Sequence, residues 1–313
     1  AGYAGYSGTA LPGSSAPTQN IRLTVAGTVP SVAGYALNSL NLVGVGLDFT
    51  TSNDVLSLTS GGLLKSGGTA SIGATAETGS LTAAGSGSLV PLYVYNAVAN
   101  SNLTINSRIL NTLQGGSVQL VLGGPTNAGI LLASGSNSYS AGTVVNNGSL
   151  NLATTGRLPA GGLTLYGATF TQQAGGIIDP SNVFTMVGSA PVTLAGNNTL
   201  AGLVFNNLGG TSSPTFATGG SLTLNGNISV SGTLDFAGAA RTITVTPISQ
   251  GGNNYAPFTS ELNLSAVIPS GTLTVAGGGV LQLGGANTFT GGVTVNASAL
   301  ALTTNTTLTT LVV

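Results

Sequence analysis

One stretch of the chain occurs twice. It appears first as Ser134-Gly-Ser-Asn-Ser-Tyr-Ser-Ala-Gly-Thr-Val-Val-Asn-Asn-Gly-Ser-Leu-Asn-Leu152 and, 150 residues later, as Gly284-Gly-Ala-Asn-Thr-Phe-Thr-Gly-Gly-Val-Thr-Val-Asn-Ala-Ser-Ala-Leu-Ala-Leu302. The copies align without a gap, and their identical pairs are Gly135/Gly285, Asn137/Asn287, Gly142/Gly292, Val145/Val295, Asn146/Asn296, Leu150/Leu300 and Leu152/Leu302. Tyr139 and Phe289 both carry an aromatic ring. Because the register holds along the whole stretch, the match indicates an internal repeat.

Short triplets of the form apolar–any–apolar surround both copies. Examples are Leu40-Asn-Leu42, Leu56-Ser-Leu58, Val118-Gln-Leu120, Leu163-Thr-Leu165, Val192-Thr-Leu194 and Leu222-Thr-Leu224. A period of two is typical of a strand with one buried face and Thr or Ser on the other. The Gly, Asn and Ser residues between triplets are turn formers. The sequence therefore predicts a nearly all-β chain of many short strands.

Short strands with Gly and Asn turns occur in sandwiches, barrels and solenoids. The internal repeat favours a β-solenoid, in which inward Leu, Val and Ile stack on the same residue types of the next coil. At about 20–25 residues per coil, the chain would form about 12–15 coils. We expect residues 1–20 to be a cap or flexible lead-in and residues 21–313 to be the solenoid, with repeat copies at 135–152 and 285–302. Tandem β-sandwich domains are the alternative fold.

Paired asparagines at the turns suggest a further contact between coils. Asn137 matches Asn287, and Asn146 matches Asn296. We expect these side chains to form amide ladders from coil to coil.

Residues 285–302 resemble the autotransporter-associated β-strand repeat, whose pattern is Gly-x-Asn-Thr-Tyr/Phe-Thr-Gly-Gly-Thr-Thr-Val-Asn-x-Gly-Thr-Leu-x-Leu after a leucine strand. Each copy departs from this pattern. Residues 297–299 lack its later glycine, and in the copy at 135–152 Ala141 replaces the first glycine of the Gly-Gly pair. The resemblance implies a right-handed parallel β-helix in a large secreted or surface polypeptide. It implies no particular activity.

The composition excludes several classes of function. Charged residues are 4% of the chain, and His and Cys are absent. Disulfides, thiol chemistry and histidine-based catalysis or metal binding are therefore impossible. Five Lys and Arg residues cannot neutralise a nucleic-acid backbone, so we expect no nucleic-acid partner. With 43 Thr and 33 Ser, the chain is typical of a secreted protein that avoids disulfides.

The six acidic residues form no catalytic motif in the sequence. They are Asp48, Asp54, Glu77, Asp179, Asp235 and Glu261. A glycosidase needs two carboxylates about 5–10 Å apart, and a calcium site needs several oxygens together. Asp48, Asn53 and Asp54 are the only local oxygen-rich group, and Asp in such loops usually forms turns. We therefore assign no catalytic, cofactor-binding or metal-binding residue and expect no enzyme activity.

The cations and tyrosines also receive a structural interpretation. The cations Arg22, Lys65, Arg108, Arg157 and Arg241 are isolated, so we expect each to be solvated or locally paired. The eight Tyr would form a binding strip if they lay on one face. We instead expect Tyr139 and Phe289 to fill equivalent positions in the core.

The sequence thus predicts a secreted or cell-surface β-solenoid with a structural or adhesive function and possible cell-surface or glycan contacts, and the resemblance implies a bacterial protein. Because Leu308–Val313 carries no charge or proline to prevent edge pairing, we expect copies to associate through solenoid ends or edges into extracellular fibres or layers. The alternatives are a β-helical polysaccharide-acting enzyme and an outer-membrane β-barrel. The short triplets and the 5% aromatic content argue against the barrel, and no integral membrane segment is expected.

Overall fold

The computed structural model describes residues 5–206, 215–219, 222–224, 228–229, 233–234, 238–244, 249–250, 253–254, 262–264 and 267–313. The described residues form strands joined by turns and contain no helix. Their parallel strands stack in about 12 turns, so the chain is a β-solenoid. The prediction of an all-β parallel β-helix is confirmed, with a number of turns at the lower end of the expected range.

The strands of the described residues are β1 (Ala16–Leu23), β2 (Gly27–Val29), β3 (Ala36–Leu42), β4 (Leu47–Phe49), β5 (Val55–Lys65), β6 (Ala70–Ile72), β7 (Ser80–Ala83), β8 (Val90–Asn96), β9 (Asn102–Ile105), β10 (Arg108–Ile109), β11 (Val118–Gly123), β12 (Gly129–Leu132), β13 (Thr143–Asn146), β14 (Ser149–Leu152), β15 (Arg157–Leu158), β16 (Leu163–Tyr166), β17 (Thr169–Gln172), β18 (Ile177–Ile178), β19 (Val183–Val187), β20 (Pro191–Leu194), β21 (Asn198–Leu200), β22 (Gly202–Asn206), β23 (Thr215–Thr218), β24 (Leu222–Leu224), β25 (Ile228–Ser229), β26 (Thr233–Leu234), β27 (Ala240–Thr244), β28 (Ser249–Gln250), β29 (Asn253–Asn254), β30 (Leu262–Leu264), β31 (Thr272–Ala276), β32 (Val280–Leu283), β33 (Val293–Val295), β34 (Ala299–Leu302) and β35 (Leu311–Val312).

The chain divides into two compact units. The first unit comprises Ala1–Leu163 and Ala168–Ile177, and the second comprises Thr164–Gly167 and Ile178–Val313. In the first unit, a first sheet has the strand order β1-β3-β5-β8-β11-β13, and a second sheet has the order β2-β4-β6-β9-β12-β14-β17. Each strand lies beside the strand one coil away, as in a solenoid.

The core of the first unit consists of columns of apolar side chains. In one column of the second sheet, Leu103, Ile130, Leu150 and Phe170 pair in register from β9 to β17, and all four are buried. The residues beside them, such as Thr104 and Thr171, are only half-buried. The triplets therefore place their first and third residues inward, because alternate side chains of a strand point to opposite faces.

The second unit has the same construction. Its sheets have the strand orders β16-β19-β22-β25, β20-β23-β26, β21-β24-β27-β31-β33-β35 and β30-β32-β34. Leu273 pairs with Val293 and Leu281 pairs with Leu300 in parallel register. The antiparallel pair β28–β29 consists of two strands that are consecutive in the sequence. Tandem sandwiches would instead require antiparallel pairing between strands that are far apart in the sequence.

Residues before β1 pair with β1, which is the edge strand of the first sheet. The Ser7 amide donates to the Asn20 carbonyl at 2.7 Å, and the Arg22 amide donates to the Gly8 carbonyl at 3.0 Å. The Tyr35 hydroxyl donates to the Pro12 carbonyl at 2.8 Å. Because β1 begins at Ala16, the sheet already starts inside the segment expected to be a cap or lead-in.

The two repeat copies adopt matching local structures. Tyr139 and Phe289 are both buried, which confirms their predicted core positions. Gly142 and Gly292 have φ values of +85° and +88°, and a Cβ at either would collide with a carbonyl of the following coil. Only glycine suits such a position, because it combines positive φ with a close approach of backbones.

The buried corner asparagines Asn137 and Asn287 connect three successive coils. The Oδ1 of Asn137 accepts the Ile109 amide at 2.9 Å, and its Nδ2 donates to the Arg157 carbonyl at 2.9 Å. Asn287 similarly accepts the Ile268 amide at 2.7 Å and donates to Thr306 Oγ1 at 3.4 Å.

The expected amide ladders are therefore a wrong prediction. Asn137 and Asn287 use their amides mainly to satisfy backbone groups that would otherwise be buried without partners. The other repeated pair, Asn146 and Asn296, is exposed. The described residues show no amide ladder between these two asparagines and adjacent coils.

Replacement of Asn137 by alanine should lower the free energy of unfolding by at least about 2 kcal/mol, because it leaves buried amide and carbonyl groups unpaired. Asn146→Ala is the matched control, since this asparagine is also repeated but exposed, and it should change stability by less than about 0.5 kcal/mol. Urea unfolding measures both values. Equal effects of the two substitutions would contradict the role assigned to Asn137.

Candidate functional site

The outer face of the first sheet carries a pair of tyrosines at its centre. Tyr93 and Tyr95 lie on β8, and their side chains are 50% and 49% exposed. Between them, Val94 is buried in the core. Because the two tyrosines are two residues apart on one strand, their side chains project from the same face about 7 Å apart.

Strand register places small residues beside these rings. Tyr93 pairs with Gly62 on β5, and Tyr95 pairs with Gly123 on β11. A Cβ at Gly123 would lie only 3.2 Å from Cδ2 of Tyr95, so this ring lies over the Gly123 backbone. On the other side, Val121 pairs with Tyr93 and Leu64 pairs with Tyr95, so each ring has a neighbour without a side chain on one side only.

Two open grooves flank the tyrosine pair. One has a volume of about 310 Å³ and lies on the β3–β5 side, where Tyr6, Asn41 and Gly62 contribute to its lining. The other has a volume of about 290 Å³ and lies on the β11–β13 side, with Gly123 and Asn146 in its lining. We call the tyrosine pair with these two grooves the aromatic face.

Uncharged polar groups surround the aromatic face. The Asn41 amide donates to the Tyr6 hydroxyl at 2.8 Å, and its Oδ1 accepts the Ser66 hydroxyl at 2.7 Å. The Ser39 hydroxyl donates to Asn20 Oδ1 at 2.7 Å. These bonds fix the orientations of the amides and hydroxyls before any ligand binds.

The sequence contained a signal for this face. In the segment Leu92-Tyr93-Val94-Tyr95, both alternating sets of residues are apolar or aromatic, whereas most triplets place Thr, Ser or Asn outward. The core position expected for Tyr139 is confirmed, whereas Tyr93 and Tyr95, for which no core position was expected, are half-exposed.

The described aspartates make hydrogen bonds to separate sets of partners. Asp48 Oδ1 accepts the Ala74 amide at 3.0 Å. Asp54 accepts the Ser31 hydroxyl at 2.7 Å and the Thr51 amide at 2.6 Å. Asp179 Oδ1 accepts the Ser181 hydroxyl at 2.7 Å, two residues along the chain. The interpretation of the aspartates as turn formers is confirmed for Asp54 and Asp179 and is wrong for Asp48, which lies within β4 and bonds to a residue of another coil. Asp235 and Glu261 lie outside the described residues.

Glu77 connects more distant coils. Its Oε1 accepts the Ser134 hydroxyl at 2.9 Å, the Gly135 amide at 2.6 Å and the Ser136 amide at 3.1 Å. Its own amide donates to the Asn106 carbonyl in the intervening coil. Desolvation works to raise the pKa of Glu77, but hydrogen bonds from Ser134, Ser136 and Gly135 outweigh it and hold the pKa below its ordinary value.

Lys65 differs from the expected solvated cation. Its side chain is fully buried, and Nζ donates to the Ser101 hydroxyl at 2.6 Å. It lies in an inward column beside Leu42 and Asn96. Desolvation by burial lowers the pKa of Lys65.

Two of the four arginines donate from their side chains to backbone carbonyls. Arg108 donates to the Ser52 carbonyl, and the nearly buried Arg241 donates to the Ala240 carbonyl at 3.0 Å. Arg22 lies on β1, directly opposite Asn41 of β3 in the strand register. Arg157 is the first residue of β15.

Within the part of the chain that the structure describes, no three His, Cys, Asp or Glu residues are placed to hold a metal ion together. The same residues include no helix with the length and apolar character needed to cross a membrane. No protein-family model, curated protein or solved structure matches the chain.

Glu77→Gln should reduce the free energy of unfolding at pH 7 by about 1 kcal/mol, because a neutral amide is a weaker acceptor for three donors at this half-buried position. The pH dependence has a defined sign. Since the folded pKa is depressed, the carboxylate stabilises the fold above its ordinary value of 4.5, and this contribution is lost as the pH falls through the folded pKa.

Urea unfolding between pH 7 and pH 3 tests this prediction. Wild type should lose more stability on acidification than Glu77→Gln does. Asn146→Ala is the control, because it changes an exposed side chain that does not titrate and should leave the pH profile unchanged. Identical profiles for wild type and Glu77→Gln would show that Glu77 does not join the coils energetically.

Proposed function

We propose that the protein is a non-catalytic structural or adhesive β-solenoid of the cell exterior and that its copies associate through exposed strands. The observation that carries this proposal is an exposed apolar surface without charge on β34 and β35. Leu302 on β34 is 42% exposed, whereas its repeat partner Leu152 is fully buried. Both residues of β35 are exposed as well.

This surface has the chemistry of an interface between copies. A groove of about 270 Å³ is lined by Leu300, Leu302, Leu311 and Val313 among others, and none of these residues carries a charged side chain. Exposed strands without charge or proline pair readily with other strands. In the proposed assembly, a strand of a second copy pairs against this surface.

The exterior location and the absence of catalysis are parts of the same proposal. The low charge, the absence of Cys and the resemblance of residues 285–302 to an exported repeat support the location. The described aspartates are engaged in separate sets of hydrogen bonds, which favours a structural role over an active site. The burial of Lys65, which removes one of five cations from the surface, supports the expectation that nucleic acid is not a partner.

Sedimentation velocity over a range of concentrations tests association of the 313-residue chain. Wild type should form species larger than a monomer, in a fraction that grows with concentration. The double variant Leu302→Lys, Leu311→Lys should remain smaller, because it places two like charges on the proposed contact. Val25→Lys adds a charge at an exposed apolar residue of the first unit and should assemble as wild type does.

Two outcomes would overturn the proposed association. One is a wild-type chain that stays monomeric at every concentration. The other is a double-lysine variant that folds normally, by circular dichroism, and assembles as readily as wild type.

A further inference from the structure

We infer that the aromatic face of the first unit is a binding site for a neutral polysaccharide. The inference rests on the proposed adhesive function and names the ligand class for one surface. It concerns Tyr93, Tyr95 and the two grooves beside them, which are distant in sequence from the apolar residues of β34 and β35.

The exposure of the tyrosine pair needs an explanation that packing does not supply. Half of each side chain faces solvent on a sheet whose neighbouring outward positions include Ser39, Asn41 and Asn146. Tyrosine offers a large flat contact surface with few rotatable bonds, so little conformational entropy is lost when a ligand covers it. Two such rings on one rigid strand form a preorganised platform.

The shape of the site suits a flat ring rather than a bulky side chain. Gly62 lowers the surface beside Tyr93 on the β5 side, and Gly123 lowers it beside Tyr95 on the β11 side. Leu64 and Val121 occupy the two remaining positions beside the rings and add apolar surface to the grooves. The grooves of about 310 and 290 Å³ are at the small end of the range for ligand pockets. A pyranose ring fits this geometry, because its apolar C–H face packs on an aromatic face while its hydroxyls extend sideways.

The polar groups at the site match the hydroxyls of such a ligand. The groove linings include the exposed amide of Asn146 and the hydroxyls of Tyr6 and Ser39, which are neutral donors and acceptors. The Asn41 amide is buried and bonded to Tyr6 and Ser66, so it orients the site and does not itself face the ligand. No residue that lines the two grooves is charged. The nearest cation along this column of the sheet is Arg22, which is three strands from Tyr95. A neutral glycan is therefore favoured over an acidic one.

The two rings suit a chain of linked sugars better than a single sugar. Tyr93 and Tyr95 are about 7 Å apart along β8, so consecutive or alternate sugar units of one chain can cover both. Because the sheet is held by hydrogen bonds on both sides of β8, the spacing is fixed before binding. Preorganisation of this kind reduces the entropic cost of association.

Affinity electrophoresis in gels that contain a defined polysaccharide tests the inference. The probes are soluble β-1,4-glucan, β-1,3-glucan and α-mannan as neutral chains, with polygalacturonate as the acidic comparison. At least one neutral polysaccharide should retard the wild-type protein. The variant Tyr93→Thr, Tyr95→Thr should bind that probe at least about tenfold more weakly, because both stacking surfaces are lost.

Two further variants separate ring stacking from general surface effects. Tyr93→Phe, Tyr95→Phe keeps both rings and should retain most of the binding. Ile177→Thr removes a similarly exposed apolar side chain from β18 of the first unit and should bind as wild type does. Threonine is common at outward strand positions in this chain, so the double threonine variant should fold, and circular dichroism verifies this.

Each contrary outcome has a distinct meaning. Failure of every neutral polysaccharide to bind overturns the inference, even where the chain self-associates and the proposed assembly stands. Binding of polygalacturonate alone overturns the assignment to neutral glycans. Equal binding by the double threonine variant shows that the glycan site lies elsewhere. A loss of self-association in that variant, without glycan binding by wild type, identifies the aromatic face as a contact between copies.

Discussion

The fold depends on one requirement: each buried backbone amide and carbonyl must find its hydrogen-bond partner in an adjacent coil. Within a strand, the parallel register meets this requirement, as in the pairing of Leu150 with Ile130 and Phe170. At the corners, where no strand is present, side chains meet it. Asn137 and Asn287 each accept an amide from the preceding coil and donate to the following coil. Asn96 has a related role, since its amide donates to the Gly129 carbonyl.

The composition follows from this requirement. A coil that stacks on its neighbours needs apolar residues inside, glycine or asparagine at its corners and small polar residues outside, and few positions remain for charge. The few charged side chains that the structure describes are mostly fixed to nearby backbone or hydroxyl groups. Glu77 joins three coils, and Lys65 occupies an inward column with Ser101 as its partner. The 4% charge content is thus a consequence of how the coils are built.

The general architecture could be predicted from the sequence because its signal is repeated. The Leu163-Thr-Leu165 type of triplet reports which residues point inward, and the match between residues 134–152 and 284–302 reports that the same local structure recurs. The long-range partners of single side chains could not be predicted. Glu77 and Ser134 are 57 residues apart, and only the stacking of intervening coils brings them together. Asn137 and Asn146 look equivalent in the sequence, but one is buried at a corner and the other is exposed at the end of β13.

The aromatic face illustrates the same limit. Tyr93 and Tyr95 alternate with buried residues, so the strand could be predicted from the sequence. The shape of the site around the two rings also depends on Gly62 and Gly123, and only the register between strands places these glycines beside them. Register is therefore the property on which both the fold and the proposed binding site depend.

Disulfide trapping in this cysteine-free chain measures that register directly. Asn151 and Thr171 are directly paired between β14 and β17, where adjacent strands lie about 4.8 Å apart, within the range that a disulfide spans. The variant Asn151→Cys, Thr171→Cys should therefore oxidise to a crosslinked monomer. The control Asn151→Cys, Thr169→Cys, offset by two residues and about 8 Å apart, should stay reduced. Equal crosslinking of the two variants, or preferential crosslinking of the control, would contradict the coil-on-coil register from which this account of the molecule is built.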